Sequence, residues 1–233
     1  MQERLKLLSI QSALFIRDID LQNPLLIAQG INSAAGNAFN GAPAILPLQK
    51  NTPPNVPLII LKSKNDKLIC NVSHERVDYR FVFHNDPLTD IQVIWDGYLN
   101  VLKQITEYFC IKNPVFIWRC GFVCQFFGKL SVSANKHIAE KYLREGVAEN
   151  TWDVNVNILH RFKLENRYVN RWLKIRPIRN RQNQADDSAM IVEVDFNTLQ
   201  EDQKRMEQYE IDAFFEDAYS HLIHQDLPKI ILD

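Results

Sequence analysis

Hydrophobic and polar positions alternate along several short segments of this chain, and the alternation predicts β-strands. In the segment 76–83, Val77, Tyr79, Phe81 and Phe83 occupy every second position. Segments 57–63 and 67–73 are also rich in β-branched and apolar residues, and polar turns separate all three. Together they predict an antiparallel three-stranded meander. Residues 5–16 predict a first strand.

A helical pattern follows the meander. Apolar residues recur at steps of three and four, and Thr89 and Gln92 have the spacing of a capping box at its start. The recurring residues are Ile91, Ile94, Trp95, Tyr98, Leu102, Ile105 and Phe109. Segment 115–127 then predicts a strand with a bend at Gly121, and 134–145 predicts a shorter helix.

The last third of the chain repeats this order. Segments 153–162, 167–178 and 188–196 predict three strands, and Thr198 with Glu201 forms a second capping-box pattern for a helix reaching Gln225. We therefore predict a single α+β domain over residues 1–233. Its antiparallel sheet carries two long amphipathic helices on one face. The domain divides into two similar halves, 1–130 and 150–233, each a group of strands followed by a helix.

Residues 21–57 form an irregular segment. Five prolines between positions 43 and 57 exclude a regular helix there, although a short helix over 25–35 fits the pattern. A segment of this length is either a functional loop, such as a docking arm over 30–57, or a surface excursion or a strip of chain wrapped along the core.

Composition indicates a globular cytoplasmic protein, with 46% hydrophobic and 24% charged residues and no apolar run of membrane-spanning length. Glu3 and the lack of a small-residue cleavage site argue against a secretory signal. The four cysteines, Cys70, Cys110, Cys120 and Cys124, form no Cys-x-x-Cys pair. They predict buried free thiols in a reducing compartment.

Charge changes sign sharply near the carboxyl end. Segment 161–181 carries eight Arg and Lys residues against Glu165, whereas thirteen acidic residues face three basic ones from Asp186 onward. The net charge of −1 conceals both blocks. The blocks either neutralise each other or leave one of them facing a charged partner.

The basic block is the leading candidate for a binding surface. Its predicted members are Arg167, Arg171, Trp172, Lys174, Arg176 and Arg179. We expect a non-catalytic binding or assembly protein whose partner is another protein or a second copy, as in a homodimer. Nucleic acid is the alternative partner, because cations neutralise phosphates and aromatic rings stack on bases. No membrane partner is predicted.

A metal-dependent hydrolase or nuclease is a further alternative. Asp217 and His221 are four residues apart on the predicted last helix, and Asp195 is an eligible third ligand. The nearby pair Glu193 and Asp195 lacks the lysine that nuclease sites place beside such acids. No phosphate-binding, nucleophile-elbow or zinc-protease motif is present, so we expect no cofactor and no catalytic signature.

The segments RVDYRFVF, IQVIWDGYLNVLKQITEYF, VFIWRCGFVCQFF and EVDF occur in an order that resembles a set of sporadically distributed, uncharacterised bacterial α+β proteins of similar length. The resemblance covers residues 57–225 and implies no activity. By analogy alone, it suggests an association with mobile elements or antiphage defence.

Overall fold

A computed structural model of the chain describes residues 5–47, 52–83, 91–143, 153–164, 167–178, 188–201 and 203–231. Its strands and helices agree closely with the sequence pattern. The strands are β1 (Lys6–Arg17), β2 (Ala44–Ile45), β3 (Ile59–Lys62), β4 (Leu68–Val72), β5 (Arg76–Val82), β6 (Phe116–Lys129), β7 (Val156–Leu164), β8 (Arg167–Pro177) and β9 (Ala189–Thr198). The helices are α1 (Pro24–Ala34), α2 (Ile91–Glu107), α3 (Ala134–Tyr142), α4 (Gln208–His221) and α5 (Leu227–Ile231).

All nine strands form one antiparallel sheet, in the order β2-β3-β4-β5-β1-β6-β9-β8-β7. Strands β1 and β6 pair at its centre, and a meander extends outward on each side of them. The elements from β1 to α2 follow the order strand, helix, meander and long helix, and the elements from β6 to α4 follow the same order. Strand β6 begins the second of these two series of elements, and the predicted division into halves 1–130 and 150–233 stays a prediction.

The long helices α2 and α4 pack on the same face of the sheet, as predicted. Trp95 of α2 stacks on Tyr219 of α4 with ring centroids 4.1 Å apart, and its edge meets Phe122 of β6. The Tyr98 hydroxyl lies 2.8 Å from Ser12 Oγ of β1 in the buried interior. Burial of these aromatic side chains is the main contribution that fixes the helices on the sheet.

The last helix begins later than the capping-box pattern predicted. Thr198 ends β9, and its Oγ1 accepts a hydrogen bond from the Cys120 backbone N–H at 3.0 Å. Helix α4 starts at Gln208, where the Glu207 N–H donates to the Glu210 carboxylate at 2.8 Å. The prediction was wrong because a strand partner occupies the Thr198 hydroxyl. Thr89 of the other predicted box lies outside the described residues.

Segment 21–57 is packed along the core as far as Gly41, so the interpretation as a free arm is wrong for that part. Residues 42–47 are exposed, and Ala44–Ile45 form the edge strand β2, which pairs with β3. Ile27, Ala28 and Ile31 of α1 are buried, as is Phe39 after it. Gly41 donates its N–H to the Lys62 carbonyl at 2.9 Å, and any Cβ at this position would lie 2.7 Å from that oxygen. Positions 48–51 lie outside the described residues.

None of the described helices has the length and apolar character that crossing a membrane requires.

Candidate polyanion-binding face

The sheet has two faces of different character. Helices α1, α2 and α4 pack on one of them, which we call the covered face. The opposite face, which we call the open face, carries Gln11, Gly121, Asp195 and Trp172, and none of the described helices lies on it. Strand register assigns each side chain to a face, because successive residues alternate across a pleated strand.

The predicted basic surface is divided between these two faces. Arg167 and Arg171 alternate with the open-face residues of β8 and point to the covered face, together with buried Val169 and Leu173. Trp172, Lys174 and Arg176 of the predicted set lie on the open face. Arg179 lies outside the described residues. The described members of the predicted set therefore do not form one surface.

The two covered-face arginines form ion pairs with the acidic carboxyl-terminal segment. Arg171 Nη2 lies 2.5 Å from Asp226 Oδ1, and the side chains are only 11% and 3% exposed. Arg167 Nη2 lies 3.1 Å from Glu210 Oε1 at the start of α4. The expectation that the two charge blocks neutralise each other is confirmed for these residues. A buried pair of this kind holds α4 and the following turn onto β8 rather than facing a partner.

The open face is strongly cationic. Register places eleven Lys and Arg side chains on it against three carboxylates, a formal balance of +8. The cations are Lys6, Arg17, Lys62, Arg76, Arg80, Arg119, Lys129, Arg161, Lys163, Lys174 and Arg176, and the acids are Asp78, Glu193 and Asp195. Since the whole chain carries −1, the remainder of the molecule carries a formal −9. Positive charge is thus segregated on one side of the sheet.

Eight of these eleven cations have no carboxylate within ion-pair distance among the described residues. The three exceptions are Lys62, Arg76 and Lys174, which pair with Asp66, Asp78 and the β9 acids respectively. The open-face acids are therefore all engaged by a cation on the same face. Within the described part of the chain, the open face therefore keeps an excess of positive charge.

Aromatic rings hold three of the arginines on the open face. The Arg76 and Arg119 guanidinium carbons lie 5.2 and 4.5 Å from the centroid of Phe15. Arg17 lies 5.0 Å from the centroid of Trp118, which packs against Phe15. Cation–π contacts of this kind orient guanidinium groups without neutralising them. The arrangement restricts where these three charges can move on the open face.

A lysine does accompany the Glu193 and Asp195 pair, although it comes from the neighbouring strand. Lys174 Nζ lies 2.7 Å from Glu193 Oε1 and 3.7 Å from Asp195 Oδ2, and Gln125 donates to the other Glu193 oxygen. Although burial raises the pKa of Glu193, the bonds from Lys174 and Gln125 lower it overall. At Asp195 the effect of burial exceeds the opposing effect of the Lys174 charge, so the pKa of that carboxyl is raised. These side chains form a network of ion pairs and hydrogen bonds across β6, β9 and β8.

The structure does not assemble the predicted metal site. Asp195 lies on the open face of β9, whereas Asp217 and His221 belong to α4 on the covered face. His221 stacks on Phe162 with centroids 4.7 Å apart. No cluster of metal-ligating side chains occurs in the described ranges. The third open-face acid, Asp78, is three strands from Asp195, or about 14 Å, which is too far to share an ion.

The cysteines are free, and three of them are fully buried, as predicted. Burial raises the pKa values of the Cys70, Cys120 and Cys124 thiols well above their ordinary range. Burial also raises the pKa of Cys110 to about 11. Neutral buried thiols are poor nucleophiles, so these residues support packing rather than thiol chemistry.

Comparison with known protein families, with curated proteins and with solved structures finds no match for this chain. The resemblance to the bacterial α+β proteins therefore stays an expectation.

Proposed function

We propose that this protein is a non-catalytic nucleic-acid-binding protein and that the open face of its sheet is the binding surface. The observation that carries the proposal is the formal charge of +8 on a face that no described helix covers. Nucleic acid carries its phosphates as a dense row of negative charge, and neutralising them supplies most of the non-specific binding energy. The acidic remainder of the chain orients this face toward such a ligand.

The dimensions of the face suit an extended polyanion. Lys62 of β3 and Lys163 of β7 are seven strand spacings apart, or about 34 Å. Open-face cations occur on six of the eight strands from β3 to β7. A small anion would use only one of these groups at a time, whereas a polymer of phosphates contacts many of them together.

Fluorescence anisotropy with a labelled 20-nucleotide single strand and the matching duplex tests the proposal. We expect affinity to fall steeply with salt, with a slope of log K against log salt between about −3 and −6. Retention on heparin should show the same salt dependence. If neither oligonucleotide binds at low salt and the protein passes through heparin, the proposal is wrong.

Self-association is a second candidate function, and strand β7 supports it. It is a regular nine-residue strand at the sheet edge, and within the described part of the chain it pairs only with β8. An exposed edge strand can pair with a second copy. An antiparallel β7–β7 pair centred on His160 would set Lys163 opposite Asn157 and Arg161 opposite Leu159. No two cations would then be directly opposed.

Two substitutions at the same position test this homodimer. Asn157→Glu would place a carboxylate opposite Lys163 of the second copy and should strengthen association, whereas Asn157→Lys should weaken it. Sedimentation velocity over a range of protein concentrations measures both effects. A strict monomer at every concentration for the unmodified protein and for both variants would exclude the candidate.

A further inference from the structure

We infer that the ligand is a single-stranded nucleic acid whose bases stack on the β7–β8 edge of the open face, with Trp172 as the principal stacking residue. This inference rests on the proposed function, because it specifies the ligand of the same surface. It comes from a difference between two groups of aromatic residues on that face, Phe15 with Trp118 and Tyr168 with Trp172.

The first group, near the centre, already has its rings occupied. Phe15 is flanked by the guanidinium groups of Arg76 and Arg119, and Trp118 by that of Arg17. These rings position cations, and a base would have to displace a guanidinium to stack there. Their contribution to binding is therefore to orient charge toward phosphates.

The second group is Tyr168 and Trp172 of β8, and neither ring has a ring or cation partner among the described residues. Trp172 is half-buried, and in the described residues its ring has no ring partner, cation partner or hydrogen bond. Its cross-strand neighbour is Leu159, which is 44% exposed. Tyr168 lies four positions earlier on the same side of β8 and is 57% exposed. Tyr168 and Trp172 therefore present aromatic surface on the same side of the sheet as the open-face cations.

Cations surround these apolar positions on the same two strands. Arg161 and Lys163 are on the open face of β7, and Lys174 and Arg176 are on that of β8. Tyr168 and Trp172 are about 13 Å apart along the strand, and the cations lie beside and beyond them. Alternation of ring and cation is the arrangement that contacts bases and phosphates of one strand together.

A duplex would not use this arrangement. Its bases are stacked on each other and present only edges in the grooves, so a flat sheet meets phosphates alone. Exposed rings on the sheet gain stacking energy only from unpaired bases. The second group therefore favours single strands over duplex, whereas the positive charge by itself favours any polyanion.

The test compares Trp172→Ala, Trp172→Phe and Tyr168→Ala with the unmodified protein. Anisotropy is measured with 12-nucleotide oligo-dT and oligo-U and with a 12-base-pair duplex at one salt concentration. We expect both single strands to bind at least tenfold more tightly than the duplex. Trp172→Ala should weaken single-strand binding by about 5- to 100-fold, Tyr168→Ala by less, and Trp172→Phe should retain most of the affinity. Duplex and heparin binding should not change.

Tryptophan fluorescence gives a readout that charge alone does not produce. Oligo-dT should quench the emission of the unmodified protein, and Trp172→Phe should lose part of that quenching. The inference is overturned if Trp172→Ala and Tyr168→Ala, both with unchanged melting temperatures, bind oligo-dT like the unmodified protein. Heparin and duplex binding that persists in that case leaves the proposed function standing. Absence of binding to any polyanion would remove both.

Discussion

At the scale of single residues, the pleat of β8 decides what the basic block does. Arg167 and Arg171 share the side of Val169, Leu173 and Ile175, and both are paired with acids. The intervening positions carry the cations of the open face. The alternation of apolar residues along 167–177 indicates which basic residues lie on each face of the sheet. A count of charges over the segment does not distinguish the two faces. The basic surface predicted from the sequence therefore combined residues of the covered face with residues of the open face, and the two sets have different roles.

The buried pair of Arg171 and Asp226 gives the first prediction. Arg171→Ala removes the arginine partner of the buried Asp226 carboxylate and should lower the free energy of unfolding by about 3 kcal/mol. Exposed Arg161, which donates to Asn170, is the matched control, and Arg161→Ala should cost less than about 0.5 kcal/mol. Urea unfolding measures both. Equal losses in the two variants would show that the pair does not stabilise the fold.

The carboxylates beside Lys174 should respond to pH in opposite ways. The pKa of Glu193 is lowered in the folded state, so its contribution to stability is present above about pH 4.3 and is lost on acidification. Glu193→Gln should therefore lower the stability of the protein at pH 7, whereas in acid the variant and the unmodified protein should have nearly the same stability. The pKa of Asp195 is raised, so folding disfavours its charged form. Asp195→Asn should not destabilise at pH 7. Thermal unfolding at several pH values checks both signs.

At the scale of elements, α4 packs on the covered face of the sheet, whereas none of the described helices lies on the open face. Glu210 has two roles at the start of α4, since its carboxylate accepts from the Glu207 N–H and also pairs with Arg167. The π-helical turn Leu222–Asp226 follows α4 and ends at the partner of Arg171. Two residues of the acidic block, Glu210 and Asp226, thus connect α4 and the turn after it to β8.

Two substitutions at Glu210 separate these roles. Glu210→Gln keeps an oxygen for the Glu207 N–H and loses the charge, whereas Glu210→Ala loses both interactions. We expect the alanine variant to be less stable by about 1 kcal/mol more than the glutamine variant. Glu201, the residue of the capping pattern that the structure does not use, is the control. Glu201→Ala should have no measurable effect in the same urea titration, and a loss comparable to that of Glu210→Ala would contradict the assigned helix start.

At the scale of the whole molecule, the defining property is the separation of charge across one sheet. The sequence pattern was sufficient to predict most strands, both long helices and their common face, because alternation and three-to-four spacing are local. The open face was not predictable in the same way. Arg80, Arg119 and Arg176 are far apart in the chain, and only the register of β5, β6 and β8 brings them to one side.

Charge reversal on each side of the sheet is the most direct test of this account. The open-face variant combines Arg119→Glu and Arg176→Glu, and the control combines Lys112→Glu and Lys136→Glu, two exposed lysines outside the sheet. Both variants change the net charge equally. Anisotropy with oligo-dT should show at least a tenfold loss of affinity and a shallower salt slope for the open-face variant, with the control close to the unmodified protein. Equal losses in both variants would contradict a binding surface on the open face.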